Sequence, residues 1–493
     1  MDELIPLSLG ALSRIPAAIG APRYDRQALS PGIVHIGLGN FHRAHMAWYT
    51  HRLMQAGQAL DWAIVGGGVR PADAAMRERL AAQDWLTTLI ELDPAGATAE
   101  VTGAMIGFAP VEPDNAALIA QMADPAIRIV SLTVTEGGYY VDPATGGLDL
   151  DHPDIRHDAA HPEAPRTAFG AIVAALRRRR GQGAQPFTAM SCDNLSGNGD
   201  ILRRAVVTLA RQSDPALADW IEAQAAFPNT MVDCIVPATG PREIALARDF
   251  GIADAAPVTH EPFRQWVLED SFCAGRPPWE AAGAQFTDDL HGYEAQKLRI
   301  LNAGHQVIAN VAELQGIETI ADAMAAPPIR ALFGKVQHRE IVPHVRPVPG
   351  MSPTDYVALI ETRFANPAIR DTVRRVAFDG SSRHPGFVLP SLRDALAAGA
   401  PFDGLALVEA LWARMCTGVR ENGDAIAPND PQWSSLTQAA QAARTQPGIW
   451  LAQASIYGDL GQHAAFSARF AEWLRLLWAE GSTVALKRYI EAF

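Results

Sequence analysis

Lysine is scarce in this chain: it supplies 3 of the 41 basic residues, and arginine the other 38. One of the three, Lys297, stands in the helical stretch KLRILNAGH (297–305), among largely apolar neighbours. A guanidinium stays protonated under working conditions, whereas a desolvated ammonium can give up its proton and serve as a base. Lys297 is therefore a candidate general base, set against the commoner case of a lysine that snorkels from a helix end. On a helix, Asn302 and His305 lie one turn apart, with Lys297 in a broad sector around the same face. Small Ala303 and Gly304 leave room there for a ligand or a neighbouring backbone. Oxidation of an alcohol by hydride transfer needs a base for the hydroxyl proton and donors for the developing oxyanion. A lysine, an amide and an imidazole can supply both.

Such chemistry also needs a hydride carrier. IVHIGLGNFHRAH places Gly37 and Gly39 directly after a strand pattern and before a helix, the setting in which glycines let a pyrophosphate approach backbone N–H groups. The motif is incomplete, because the third glycine position of G-x-G-x-x-G is His42. Phe41 is grouped with the two glycines as a cofactor residue. An acidic residue for the adenine ribose is expected at the end of the second strand; IVGGGVRPAD offers Asp73 a few residues later. Asp73 favours NAD by repelling a 2′-phosphate, Arg70 argues for NADP, and the balance leans to NAD. Asp73 also reads as a first-turn carboxylate opening the helix PADAAMRERLAAQ. His42 and His45 are spaced to share a metal, but no third ligand accompanies them, so packing or capping is expected and no metal is assigned. YEAQK (293–297) matches the Y-x-x-x-K pair of short-chain dehydrogenases. It lies about 250 residues beyond the glycines, more than that domain's size, so Tyr293 is read as coincidental.

Elements that position these residues follow from hydrophobic periodicity. Strands are expected at 32–39, 61–69, 86–92, 127–135 and 186–194, alternating with helices such as 41–57, which predicts a mostly parallel, doubly wound sheet. From about residue 286 the pattern turns to long helical stretches separated by Pro- and Gly-containing turns. The fold class is thus α/β: a Rossmann-like N-terminal domain (1–285) followed by a mainly α-helical C-terminal domain (286–493). CAGRPPWEAAGAQF (273–286) reads as the linker. A helical domain beyond the carboxyl ends of the strands would close a ligand cleft.

At 493 residues the chain is long enough for two or three domains, and 48% apolar residues provide ample core. A net charge of −13 leaves no electrostatic footprint for nucleic acid. RRRR (177–180) reads as the solvated end of a helix. The four cysteines are far apart and fit a reducing compartment without disulfides. No run of 18 apolar residues suggests a membrane span, and MDELIPLSLGALSRIP lacks the basic start of a signal peptide. The expected address is the cytoplasm, and nothing in the sequence demands more than a monomer.

GLGNFHRAH, SLTVTEGGYY (131–140), SCDNLSGNG (191–199), AFPNTMVD (226–233), KLRILNAGH and DGSSRHPGF (379–387) occur in this order. Together they resemble the mannitol dehydrogenase family, the polyol-specific long-chain dehydrogenases, over nearly the whole chain. The resemblance implies metal-independent hydride transfer between a nicotinamide cofactor and a polyol or its ketose. It implies Lys297 as base, Asn194 and Asn302 as oxyanion donors, and His305 as the residue positioning the reacting oxygen. Glu136 is implied along a water path for proton release, with Asp233 and Glu294 as substrate-hydroxyl ligands. Arg375 and Arg383 fall where the family places basic residues near the substrate. The sequence departs from the family at Gly137 and Arg383, where lysine is common. Without the resemblance, Asp193 and Asn194 read as turn residues and Arg375 as the charged side of a helix. D-mannitol and D-fructose are the expected pair, with D-arabinitol or D-sorbitol as further substrates. Alternatives are a D-mannonate oxidoreductase, a D-arabinitol 4-dehydrogenase and, from another class, a nucleotide sensor without catalysis. A sensor has no need for a base, which argues against the last.

Overall fold

The apolar run at 31–36 forms a strand, Pro31–Ile36 (β1), whose last five residues are all buried. Such continuous burial is the signature of a strand covered on both faces. In a computed structural model, which describes residues 4–142 and 145–492, β1 is central to a five-stranded sheet. Its partners are Ala63–Gly67 (β2), Met105–Phe108 (β3), Ile129–Leu132 (β4) and Thr188–Ser191 (β5). The order is β3-β2-β1-β4-β5 and every pairing is parallel, with Val34 in register with Val65 on one side and Val130 on the other. Strand order reverses beside β1, which opens a crevice at the carboxyl ends of β1 and β4.

Four of the five expected strands join this sheet. The one at 86–92 instead forms Thr87–Asp93, antiparallel to Gly96–Thr102 in a separate three-stranded sheet. β3 was not expected from the sequence, where its glycine-containing MIGF gives no strand pattern. The helix expected over 41–57 is broken at His45 (φ −118°, ψ −98°) into Asn40–Ala44 and Met46–Gln55. RRRR is not wholly solvated. Arg179 is buried and donates to the carbonyls of Met122, Asp124, Ile127 and Gln185, tying its helix to the start of β4.

The chain divides into two compact units, Met1–His291 and Gly292–Phe493. The segment 273–286 is not a free linker. Trp279 is fully buried, donates to Thr50 Oγ1 (3.2 Å) and packs on Trp266, while Gln285–Phe286 pairs in parallel with Gln265–Leu268. Its Gly and Pro content shapes turns around a buried indole, which composition alone does not disclose.

The second unit is helical. Its central helix, Ala303–Gln315, is buried on every side except at its last residue. Pro327–Val336, Val373–Ala377 and Asp403–Met415 pack around it. Three π-helical segments interrupt this unit: Lys297–Asn302, Gln337–Ile341 and His384–Val388. π-turns are rare and favour functional sites. Among the described residues no helix is long and apolar enough to cross a membrane.

Candidate active site

All the candidate residues of the first unit lie at or just beyond carboxyl ends of strands. Gly37, Gly39 and Phe41 follow β1, Asp73 follows β2, Glu136 follows β4, Asn194 follows β5, and Asp233 closes Thr230–Asp233. Gly37 needs to be glycine: its φ is +90°, and a Cβ there would stand 2.2 Å from the carbonyl oxygen of Thr133. Thr133 Oγ1 also donates to Gly37 O (2.7 Å), so the loops after β1 and β4 touch where the sheet order reverses. Asp73 folds back over the end of β2, so close that a Cβ on Gly68 would meet its carboxylate. It accepts from Arg70 N (3.0 Å) and pairs with the Arg70 guanidinium (3.2 Å) while also opening the helix Asp73–Ala81. Asp73 thus opens its helix and folds back towards Gly68.

His42, standing at the third glycine position, is buried and stacked on His35 at 3.5 Å, and His45 Nε2 bonds to Gln265 O (3.0 Å). Both serve packing. The same motif ties its loop down through Asn40, which donates to Pro237 O and Thr239 Oγ1 (both 2.9 Å) and accepts from buried Arg43.

Asp193 does more than shape a turn. Its carboxylate accepts from Val134 N (3.0 Å), Thr135 N (2.8 Å) and Tyr139 OH (2.9 Å). It thereby fixes the loop after β4, where Thr135 has φ +67° and Glu136 is exposed, to the loop after β5 that carries Asn194. Burial pushes Asp193 from the usual 3.8 up to about 6, against those hydrogen bonds and with help from nearby Glu136. The folded state therefore favours the protonated acid. Its contribution to stability is full below about pH 4 and is lost as pH rises through 6, a change of about 3 kcal/mol. The difference in unfolding free energy between wild type and Asp193→Asn, measured by urea titration from pH 4 to 7, is expected to shift by that order. A pH-independent difference would contradict it.

In the second unit, Glu294, Lys297, Asn302 and His305 belong to one continuous helical run, Leu290–Gln296, Lys297–Asn302 and Ala303–Gln315, and all four are buried. The other two lysines do structural or surface work: Lys335 donates to Ile490 O (2.7 Å), and Lys487 is exposed beside Glu491. In an α-helix, Lys297 and Asn302 would point about 140° apart. The π-turn that begins at Lys297 and ends at Asn302 brings residues five apart towards alignment. Gln337 supports it, donating from Nε2 to Ile300 O (2.8 Å). Gly304 serves that clamp rather than a ligand, since a Cβ there would meet Gln337 Nε2 at 2.8 Å and the Phe333 ring at 2.9 Å. Asn302 Nδ2 and His305 Nε2 are buried without a hydrogen-bond partner in the protein. Buried polar atoms are normally satisfied, which makes these two atoms candidates for contact with a polar ligand.

His305 stacks on Phe364 (4.1 Å) and lies 3.7 Å from Asp371. Burial holds its pKa down at about 3; Asp371 raises it, while Arg375, Arg383 and Arg363 lower it. The imidazole is neutral at working pH and can donate one hydrogen bond and accept another. Arg375 and Arg383 are thus close enough to His305 for their charges to be felt there. DGSSRHPGF anchors them: Ser381 Oγ donates to Asp430 (2.8 Å), and buried His384 bonds Glu409 (2.7 Å).

Comparison with known proteins decides the family. A mannitol dehydrogenase Rossmann domain matches residues 31–281 and a mannitol dehydrogenase C-terminal domain matches 289–478. The chain belongs to the mannitol dehydrogenase family. It is 58% identical to mannitol 2-dehydrogenase of Cereibacter sphaeroides over 96% of this chain and 99% of that one. It is 42% identical to that of Pyricularia oryzae over 90% and 89%. Mannitol 2-dehydrogenase of Pseudomonas fluorescens, solved as a ternary complex with NAD and D-mannitol, superposes with a TM-score of 0.92 at 40% identity over 99% of both chains. A D-sorbitol dehydrogenase, solved substrate-free, gives 0.86 at 35% identity over 97% of this chain and 100% of that one.

Within this mannitol dehydrogenase fold, sequence reasoning passed over Asp371, Gln337 and the clamping role of Asp193. Asp371 left a trace, standing four residues before Arg375 as an i,i+4 ion pair would. Gln337 left none, because it acts across 37 residues of chain.

Proposed function

We propose that the chain is a metal-independent, NAD-dependent polyol dehydrogenase interconverting a polyol and its ketose, with D-mannitol and D-fructose the first pair. The observation that carries this reading is Lys297, buried on a π-turn, with Asn302 Nδ2 and His305 Nε2 farther along the same helical run buried without a hydrogen-bond partner in the protein. The named relatives support it. Gly37, Gly39 and Phe41 receive the pyrophosphate end of NAD, and Asp73 receives the adenine ribose. NAD held there would supply the acceptor for the hydride of the carbinol carbon. Lys297 takes the hydroxyl proton, Asn194 and Asn302 donate to the oxygen as charge develops, and neutral His305 orients that oxygen. Glu136, exposed after β4, passes the proton to solvent. Asp233 and Glu294 accept from remote substrate hydroxyls, and Arg375 and Arg383 donate to them. The site of action is the cytoplasm, in keeping with four free cysteines.

D-Sorbitol is the second substrate to test, given the D-sorbitol dehydrogenase relative. The deciding experiment is an initial-rate panel on chelator-treated protein, with NAD or NADP against D-mannitol, D-arabinitol, D-sorbitol and D-mannonate. Turnover of neutral polyols with NAD is expected. Activity confined to D-mannonate would overturn the assignment.

A further inference from the structure

Arg375 and Arg383 look at first like a clamp for a carboxylate. The hydrogen bonds around them say otherwise. Arg375 donates from Nε to Asp371 Oδ1 (2.6 Å) and from Nη2 to Asp371 Oδ2 (2.7 Å), a fork-to-fork pair between a buried carboxylate and an exposed guanidinium. That is one of the two edges with which arginine grips carboxylates, and it is already filled. Arg383 donates from Nη1 to Val376 O (2.7 Å) and to Arg375 O (3.3 Å), so one end of it is held by main chain. Asp371 is itself fixed, its carbonyl accepting from Ile320 N (2.9 Å) and its carboxylate lying 3.7 Å from His305 Nε2. It offsets the charges of Arg375, Arg383 and Arg363 that reach the imidazole.

We propose that Asp371 is a specificity-determining residue: by neutralising Arg375 beside His305, it makes this part of the site select an uncharged polyol over a sugar acid. The proposal rests on the polyol dehydrogenase reading above. A matched ion pair still offers N–H donors from Nη1, enough for a hydroxyl, but no net charge to repay the desolvation of a substrate carboxylate. Without Asp371, the Arg375 guanidinium near His305 would lose the carboxylate that neutralises it, and its charge would be open to an anion.

The test is the ratio of kcat/KM for D-mannonate to that for D-mannitol, together with competitive inhibition of D-mannitol oxidation by D-mannonate. Asp371→Asn keeps the shape and removes the charge; Asp371→Ser removes both. Whichever folds with wild-type circular dichroism is expected to raise the ratio about tenfold or more and to tighten D-mannonate inhibition, in a manner weakened by salt. Asp371→Glu, which retains the charge, is expected to return the ratio towards wild type. A lost carboxylate that lowers both activities in proportion, leaving the ratio unmoved, would overturn the proposal. Failure of the wild type to oxidise any neutral polyol would instead remove the reading on which it rests.

Discussion

Lys297→Ala is expected to lower kcat for polyol oxidation by about 10²–10⁴-fold, the range for removing a positioned general base, while NADH binding stays within a few-fold of wild type. Lys297 is buried in a chain that otherwise uses arginine for nearly every cation, and it begins the π-turn that carries Asn302. Its helical run continues into the buried helix Ala303–Gln315, so circular dichroism should be unchanged by the replacement. The pH profile supplies a second reading. In the wild type kcat/KM for oxidation should rise with pH as the base loses its proton, and in Lys297→Ala that limb should be absent. His305 contributes no inflection near its ordinary value, because burial holds it neutral down to about pH 3. Stopped-flow rates and NADH fluorescence titration check both parts. An unchanged kcat would take Lys297 out of the chemistry.

Asn302→Ala is expected to cost about 10²–10³-fold in kcat, as loss of one oxyanion donor does. The unfolding temperature should move little. The contrast follows from the geometry: Nδ2 is buried but makes no hydrogen bond within the protein, so its removal breaks none of the protein's own bonds. An amide kept for structure would behave in the opposite way, with stability falling and kcat largely retained. Asn302→Asp refines the test, because a carboxylate near the developing oxyanion repels it. Its kcat should fall at least as far as that of Asn302→Ala.

Much of the architecture was legible in the residues. Strand patterns at 32–39, 61–69, 127–135 and 186–194 announced a parallel sheet, and buried strands form within or overlapping each, because a strand covered on both faces must be apolar throughout. Helical periodicity after residue 286 announced the second unit. Lys297 was conspicuous by composition, and Asn302 and His305 by proximity to it. Asp73 was found in sequence with two readings, and the structure shows the first-turn carboxylate. Composition misled at 273–286, where glycines and prolines surround buried Trp279, and at Arg179, where a run of like charge hides one buried tie.

What the sequence by itself determined is therefore the order of elements, the family motifs and the chemical types at the site, all of which follow from local period and residue identity. What only the tertiary structure decided is register and charge balance. The π-turn at 297–302 leaves no mark in a hydrophobic pattern of period 3.6, since its support comes from Gln337 on a distant helix. The state of Asp193 depends on burial and on donors some 60 residues away in the chain, and the neutrality of His305 on burial first and then on arginines contributed by other helices. Desolvation and pairing are properties of an environment, and an environment exists only once the chain has folded.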